Sequence, residues 1–311
     1  MVDNASADGT AAAVRAAAPN AKVIEAGANL GFPAACNLGA EAAAGDLLCF
    51  LNPDSVPQPG WRDALAAPAK TGEWDAWQAL ITAKEGTVVN TRGGVVHFTG
   101  IAWAGGAGEP VGSPGAAGSP GPGFVSGACL ALRRERFLEA GGFPPEFFLY
   151  HEDVDLSLRL RLEGGRLGVA TAARVDHAYD FVKGPAKWRY LERNRWATLI
   201  RTYPLALLAV IAPALVATEL ALLVVSLAGG WFSQKLRAQV DLARALPRLV
   251  RERRAIQARR AVSAREFAQA LTPALNSPYL GAAGRSRLLG ALLAGYWRVA
   301  LFLLGSGRGG G

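Results

Sequence analysis

Three carboxylates stand close together in the segment His151-Glu152-Asp153-Val154-Asp155, directly after an aromatic run. Like charges this close raise one another's pKa, and a carboxylate with a raised pKa is suited to act as a general base. The same segment also fits an ordinary acidic helix start, because the helix dipole favours negative charge there. The segment is therefore a candidate catalytic element, and a purely structural role remains the alternative interpretation.

Two further polar side chains follow segments with strand-like sequences. Asp54 comes shortly after the apolar run 46–51, and His177 ends a later strand-like segment. A carboxylate at a strand end can hold a divalent cation against a diphosphate. Taken alone, however, such an aspartate is more often a turn residue, and a lone histidine is more often structural. The fold that positions these side chains decides between the two interpretations.

Strand and helix signals alternate along the first half of the chain. Helices are predicted over 10–18 and 34–44, and strands over 22–25, 46–51 and 166–170. Such alternation predicts an α/β fold with a doubly wound, mainly parallel sheet. In sheets of this kind ligands bind at the carboxyl ends of the strands, which is where Asp54 would lie.

Two short segments near the start of the chain are suited to binding loops. Asp3 ends a strand-like segment that turns into a helix, where carboxylates can cap the helix or accept a hydrogen bond from a nucleobase N–H. Asn29 and Gly31 precede the predicted helix that contains Asn37, and a glycine permits close backbone approach. Neither signal is specific by itself.

Composition points to a membrane-seeking part of the chain. The 311 residues are 51% hydrophobic and only 19% charged, and their mean hydropathy is +0.18. The net charge of +8 has two interpretations. Either it reflects composition alone, or a basic surface meets anionic lipid headgroups or a phosphorylated substrate.

The three cysteines, Cys36, Cys49 and Cys129, form no CxxC pair, and their number is odd. They support neither a disulfide framework nor a zinc site. Because all three lie among apolar or small residues, we expect buried, reduced thiols.

The segment 205–231 is almost continuously apolar and long enough to cross a bilayer as one helix. Pro213 and Glu219 interrupt it, and both of its flanks are basic, so a single span would put one basic flank on the wrong side. We favour a re-entrant or interfacial helical hairpin over a single span or a soluble helical core. A second apolar stretch, 288–304, contains Arg298.

The stretch 105–123 consists mostly of Gly, Pro, Ala and Ser. It has too few apolar side chains to bury and is expected to be a disordered insertion, with a mobile flap over a substrate cleft as the alternative.

The order of these motifs resembles the family 2 glycosyltransferases. The residues that carry the resemblance are VDNAS with DGT, NLGF, LNPD, SGACLALRR, GGFPPEFFLYHEDVDLSLR and VDH. It covers roughly residues 2–203 and is closest to the rhamnosyltransferase-like branch, which builds bacterial cell-surface polysaccharides. The resemblance implies a GT-A type catalytic domain over 1–203, and the apolar stretches with their basic flanks predict a helical, basic, membrane-associating region over 204–311.

The resemblance also implies a role for each matching residue. Asp153 would be the catalytic base with Glu152 beside it, and Asp54 with His177 would hold Mg²⁺ or Mn²⁺. The metal would rest on fewer carboxylates than usual, because Asn52 replaces the first aspartate of the motif. The substrate-binding residues would be Asp3 at the donor's base, Arg195 at the diphosphate, and Asn29, Gly31 and Asn37.

The implied reaction is inverting transfer of a sugar from a nucleotide-diphosphate donor to a hydroxyl of a cell-surface glycan or lipid-linked acceptor. We expect a membrane surface with anionic lipids as a partner, no nucleic acid, and a location at the cytoplasmic face of the cell membrane. Family members begin with a strand upstream of VDNAS, so the resemblance implies that this first strand is missing here. The alternatives are a degenerate, non-catalytic nucleotide-sugar-binding or scaffolding protein, and an enzyme that only hydrolyses the donor.

Overall fold

The computed structural model describes residues 1–113, 121–177, 184–276, 284 and 286–306. Its first half contains β1 (Val2–Asp3), α1 (Thr10–Ala17), β2 (Ile24–Glu25), α2 (Phe32–Ala42), β3 (Leu47–Leu51), β4 (Ser55–Pro57), α3 (Trp61–Ala66), α4 (Pro68–Thr71), β5 (Ala76–Ala83), β6 (Val88–Thr91), β7 (Gly94–Val96) and β8 (Ala102–Ala104). The second half contains β9 (Cys129–Arg133), α5 (Arg134–Glu139), α6 (Glu152–Leu162), β10 (Leu167–His177), α7 (Ala186–Thr202), α8 (Leu205–Ala228), α9 (Phe232–Ala258), α10 (Ala264–Gln269) and α11 (Arg287–Ser306).

The central sheet has the strand order β3-β9-β5-β10-β4, with β6 also paired to β5. Strands β5 and β10 are parallel, whereas β9 lies antiparallel to both β3 and β5, and β4 is antiparallel to β10. The α/β class is confirmed, but the expectation of a mainly parallel sheet is wrong. The described residues between β5 and β9 form no crossover helix, which parallel neighbours need, so β9 returns antiparallel.

Strand β5 is the centre of this sheet and was not singled out by the sequence patterns. Its residues are buried from Ala76 to Thr82, because both faces of the sheet are covered. Strands β1 and β2 form a separate parallel pair, in which Asp3 lies opposite Glu25. Since parallel strands end at the same edge, the loops that follow β1 and β2 lie together.

The C-terminal helices share a core with the first part of the chain. One buried cluster contains Phe98 and Val154 together with Leu199, Ile211 and Trp297. Phe98 and Trp297 stack with ring centroids 4.8 Å apart. The two predicted regions, 1–203 and 204–311, therefore pack as one body around this cluster.

Helices α8 and α11 keep most of their apolar surface exposed. By length and composition both could cross a membrane, and only 11% of the most apolar window of each is buried. Tyr296 of α11 donates its hydroxyl to Val210 O of α8 at 2.6 Å, which ties the two helices together. An α8 exposed to this extent disfavours the soluble-core alternative.

The cysteines are free thiols, as expected, but their burial differs from the expectation. Cys129 is buried and Cys36 is half-buried, whereas Cys49 is exposed. The side chains of β3 alternate between faces, and that of Cys49 lies on the exposed one.

The glycine-rich stretch lies partly outside the described residues, which omit 114–120. Its two described ends are bonded to the fold. Arg92 N donates to Gly105 O at 3.0 Å, and Gly123 N donates to Gly94 O at 2.8 Å. The expected disorder or flap motion therefore concerns the part between these anchors and stays a prediction.

Candidate active site

Asp54 and His177 lie together although 123 positions separate them in sequence. Strand β10 pairs antiparallel with β4 so that His177 stands opposite Ser55, the residue after Asp54. This register places His177 Nε2 3.0 Å from Asp54 Oδ1. The amide nitrogen of Asn52 lies 3.5 Å from the same ring nitrogen.

These three side chains fit a divalent cation. The Oδ1 atom of Asn52 is buried without a hydrogen-bond partner, so one oxygen beside the Asp54–His177 pair is available as a ligand. The described part of the chain has no group of three or more His, Cys, Asp or Glu side chains suited to a metal. Mg²⁺ is commonly held by one or two carboxylates together with substrate phosphates and waters, and a carboxylate, an imidazole and an amide oxygen suit that arrangement.

Asp153 lies in the first turn of α6 with both carboxylate oxygens fixed. Its Oδ2 accepts from Gly127 N at 3.0 Å and its Oδ1 from Val154 N at 2.8 Å. Burial raises the pKa of Asp153 to about 6, although these backbone donors oppose the rise. The side chain keeps some exposed surface, so it is mostly ionised at neutral pH and can still reach a substrate. This combination suits a general base.

Glu152 differs from its neighbour, because it is only 7% exposed. Burial, and after it the charge of Asp153, raises the pKa of Glu152 well above its usual value. Only the ionised carboxylate can accept a proton, and a strongly raised pKa disfavours that form. Of the two predicted catalytic residues, the geometry therefore favours Asp153 as the base.

Asp155 does not join the other two carboxylates, and the expected mutual cluster of three is wrong. Its fully buried side chain pairs with Arg159 at 2.6 Å and with Arg201 at 2.9 Å. Burial would raise the pKa of Asp155, but Arg201 and Arg159 outweigh it and hold the pKa below the usual value. Asp155 is a structural ion-pair residue that joins α6 to α7.

The two N-terminal motifs are joined by Asn4, to which the sequence patterns assigned no role. Asn4 Oδ1 accepts from Leu30 N at 2.8 Å, and its amide nitrogen donates to Asn29 Oδ1 at 3.0 Å. Asp3 is buried beside them, and its Oδ1 accepts from Ser6 N at 3.3 Å. The loops after β1 and β2 thus form one polar edge, and donor binding by Asp3 and Asn29 stays a prediction.

Gly31 makes the close backbone approach expected of it. Its φ is +80°, and a Cβ at this position would lie 2.5 Å from Phe148 O. Phe32 N donates to the same carbonyl oxygen at 2.9 Å. Gly31 therefore fixes the loop that leads into Glu152 and Asp153.

We expect Gly31→Ala to destabilise the protein and to lower kcat/KM, because the new methyl group displaces Phe148 and the loop behind it. Overpacking of this kind costs roughly 1–3 kcal/mol. Gly60→Ala is the matched control, since Gly60 has a φ of +78° but open space around its Cβ position. Thermal unfolding and transfer rates of both variants check the prediction, and equal effects of the two substitutions would contradict it.

Two predicted substrate-binding residues have hydrogen-bond partners within the protein, and their binding of substrate stays a prediction. The Asn37 side chain donates to Phe143 O at 2.8 Å and accepts from Phe143 N at 2.9 Å, which joins α2 to the loop before α6. Arg195 is 2% exposed and donates to Thr99 O at 3.0 Å and to Glu219. Its neighbour Glu192 replaces the glutamine of the motif and lies 3.5 Å away. These acidic partners hold the guanidinium inside the helical layer, and its predicted contact with a diphosphate stays a prediction.

Asn194 is the site residue that sequence reasoning missed. Its amide nitrogen lies within hydrogen-bond distance of the carbonyls of Phe147, Leu149 and Tyr150, at 3.0, 2.8 and 2.7 Å. The segment it holds is strained, because Phe148, Tyr150 and His151 have φ values of 62°, 70° and 68°. Its position next to Arg195 in a motif-like segment was the available signal.

The fold is that of GT-A glycosyltransferases, and two solved structures share it. GalNAc-T7 with UDP, GalNAc and Mn²⁺ superposes with a TM-score of 0.52 at 16% identity, over 67% of this chain and 43% of that chain. S. aureus TarS 1–349 in complex with UDP-GlcNAc superposes with a TM-score of 0.51 at 14% identity, over 99% of this chain and 81% of that chain. At such identities the likeness establishes the fold alone.

Sequence comparison identifies the family. The models described as glycosyl transferase family 2 and glycosyl transferase family group 2 match residues 1–111 and 72–243. The N-acetylglucosaminyl-diphospho-decaprenol L-rhamnosyltransferase of Mycobacterium tuberculosis is 33% identical over 217 residues, 60% of this chain and 68% of that protein. The O-antigen biosynthesis protein RfbC of Myxococcus xanthus is 37% identical over 153 residues, 47% of this chain but only 12% of that protein. The chain belongs to the family 2 glycosyltransferases.

Proposed function

We propose that this enzyme transfers a sugar, with inversion at the anomeric carbon, from a nucleotide-diphosphate donor to a hydroxyl of a lipid-linked acceptor. The observation that carries the proposal is that Asp153, which is suited to act as a general base, occurs together with the candidate metal ligands Asp54 and His177. The adjacent residues Gly127 and Ala128 connect them, because Gly127 N donates to the Asp153 carboxylate and Ala128 O accepts from Asn52 N at 3.0 Å.

The proposed mechanism is one displacement. Asp153 removes the proton of the acceptor hydroxyl while that hydroxyl oxygen attacks the anomeric carbon. The attack comes from the face opposite the bond to the nucleoside diphosphate, which breaks in the same step. A single displacement inverts the configuration of that carbon. Asn52, Asp54 and His177 would hold Mg²⁺ or Mn²⁺, which when bound supplies charge neutralisation at the diphosphate. The loop held by Gly31 and Asn194 keeps Asp153 in place.

The acceptor class comes from the mycobacterial relative. Its name gives N-acetylglucosaminyl-diphospho-decaprenol as acceptor and L-rhamnose as the transferred sugar. We extend the polyprenyl-diphosphate sugar to this chain as acceptor class, with a rhamnosyl donor as the first candidate. Incubating the full chain with a panel of nucleotide sugars and such an acceptor, and assigning the product anomer by NMR, tests the proposal. Donor hydrolysis without transfer, or retained configuration, contradicts it.

We also propose that the enzyme lies on the cytoplasmic face of the membrane, with α8 at the interface. Free thiols fit a reducing compartment. Midway along α8, Glu219 accepts from Lys235 Nζ of α9 at 3.0 Å and from Trp196 Nε1 of α7 at 3.0 Å. A crossing α8 would carry these charged helices into hydrocarbon at high cost, which favours an interfacial helix over a span.

We expect kcat/KM to depend on one ionisation with a midpoint near pH 6. The pKa of Asp153 is raised to about 6, and only the ionised carboxylate can accept the hydroxyl proton. The rate should therefore be maximal above this pH and fall about tenfold per pH unit below it, as expected for one essential base. A pH profile of initial rates at substrate concentrations well below KM measures the midpoint. A rate that stays constant down to pH 5 would contradict the role of Asp153 as the base.

We expect excess chelator to abolish transfer and added Mn²⁺ or Mg²⁺ to restore it. Asp54→Ala and His177→Ala should each raise the Mn²⁺ concentration needed for half-maximal activity at least roughly tenfold, because each removes one polar partner of the cation. The exposed Asp63 of α3 serves as a control through Asp63→Ala. Full activity in chelator would remove the metal from the mechanism.

A further inference from the structure

A surface cavity of about 410 Å³ lies between the start of α8 and the last turns of α9. None of the candidate active-site residues lines it. Its lining consists of Leu205, Val250, Arg253, Arg254, Gln257 and Arg260. Three of these six side chains are arginines, and none of the described lining residues is acidic.

The positive charge of this cavity is not compensated within the described part of the chain. Arg254 and Arg260 are exposed and form no ion pair with any described residue. The nearest acidic residue in sequence, Glu252, is already bonded to Arg201 and Arg248. Guanidinium groups gathered in this way favour an anion with several oxygens, and they match the geometry of phosphate.

Arg253 is the fixed member of the group. Its Nη1 donates to Ile200 O at 2.6 Å and to Tyr203 O at 2.7 Å, so the side chain is anchored to the end of α7. Burial, and after it the charge of Arg260, lowers the pKa of Arg253. The cavity is thus a built feature in which like charges are held together at a cost that a bound anion would relieve.

An uncharged apolar face begins at the same cavity. Leu205, the first residue of α8, is 72% exposed, and Val216, Leu220 and Val224 continue the exposed face at 60–66%. The 24 residues of α8 make a helix about 36 Å long, in which Glu219 is the single charged residue and points toward Lys235. A phosphate site at one end of such a face has the chemistry of a lipid headgroup above its acyl chains.

We propose that the cavity of Arg253, Arg254 and Arg260 binds the headgroup phosphate of an anionic membrane phospholipid, whose acyl chains lie beneath the exposed apolar face of α8. The exposed apolar face favours a lipid over a soluble phosphate as the ligand, because a soluble phosphate has no apolar part to pack against this face. The proposal rests on the membrane association proposed above and is independent of the transfer reaction.

Vesicle binding of the full chain tests this proposal. Two double variants are compared on phosphatidylcholine vesicles with and without phosphatidylglycerol. Arg254→Gln with Arg260→Gln alters the cavity, whereas Arg237→Gln with Arg251→Gln removes equal charge from exposed positions of α9 outside it. An arginine near an anionic surface contributes about 1 kcal/mol, so the cavity variant should lose on the order of 10–30-fold in partitioning onto phosphatidylglycerol vesicles.

The control variant should lose several-fold less than the cavity variant. Equal losses would overturn the proposal, since they would mean a diffuse basic surface. A titration with inorganic phosphate at constant ionic strength separates the sources of phosphate. If phosphate stabilises the wild-type chain and vesicles do not bind, the cavity takes a soluble anion and the lipid assignment is wrong.

Transfer to a detergent-solubilised acceptor is measured on the same variants. The cavity variant should keep the wild-type rate in this assay while losing vesicle binding. A failed lipid proposal and a failed transferase proposal therefore give different results. The first contradicts only the expected vesicle binding, and the second contradicts only the expected transfer activity. A loss of transfer equal to the loss of vesicle binding would overturn the separation of the cavity from the active site.

Discussion

Asp153→Asn is expected to abolish sugar transfer while the fold and nucleotide binding stay nearly intact. The amide has the shape of the carboxylate, but its single oxygen can accept from only one of the two backbone donors, Gly127 N and Val154 N, so one of these hydrogen bonds is lost. It cannot take up the proton of the acceptor hydroxyl. Loss of a general base costs roughly 10²–10⁴-fold in rate, so kcat should fall by that factor.

Initial rates, nucleotide titration and thermal unfolding of the variant give the answer. Asp63→Asn makes the same chemical change at an exposed position of α3 and should behave as wild type. Glu152→Gln should keep most of the activity, because the pKa of Glu152 is already raised well above its usual value. If Asp153→Asn transfers sugar within a factor of a few of wild type, Asp153 is not the base.

Asp155→Ala is expected to produce the opposite phenotype, a large loss of stability. The substitution removes the carboxylate that Arg159 and Arg201 share inside the protein. Breaking a buried pair by deleting one partner costs roughly 3–5 kcal/mol, because Arg159 then stays buried without this charged partner and Arg201 keeps only Glu252 among its described ion-pair partners. This is a considerable part of the ~5–15 kcal/mol by which a domain is stable.

Calorimetric or spectroscopic melting of Asp155→Ala should show a midpoint lowered by on the order of 10 °C. Asp63→Ala provides the surface comparison. The residual folded fraction at low temperature should bind nucleotide, because Asp155 does not face the site. A melting midpoint equal to that of wild type would mean that water or Glu252 satisfies Arg201 without Asp155, and the structural role would then be wrong.

These two variants differ by two positions on one helix, and the difference comes from which side of α6 each residue occupies. Asp153 lies at the edge of the sheet beside Gly127, whereas Asp155 faces α7. The loop before them holds three residues with positive φ, and Asn194 of α7 bonds to its carbonyls. Helix α7 therefore supports the catalytic segment from behind through both Asn194 and Arg201.

Local sequence was sufficient for the elements that depend on neighbouring residues. The helix that begins at Glu152, the strand before Asp54 and the close approach at Gly31 all follow from short-range patterns. The motif order was also enough to identify the family, because it combines six separated segments. The free cysteines likewise follow from their number and spacing.

Strand partners, ionisation and the direction of long side chains depended on contacts between distant residues. The sequence patterns did not reveal β5 as the central strand or β9 as antiparallel, since hydrogen bonding between strands is set by how the chain returns. The pKa order of Glu152, Asp153 and Asp155 reflects burial and the two arginines rather than spacing. Arg195 lies toward Glu219 because α8 folds back on α7, and no local pattern encodes the meeting of residues 24 positions apart.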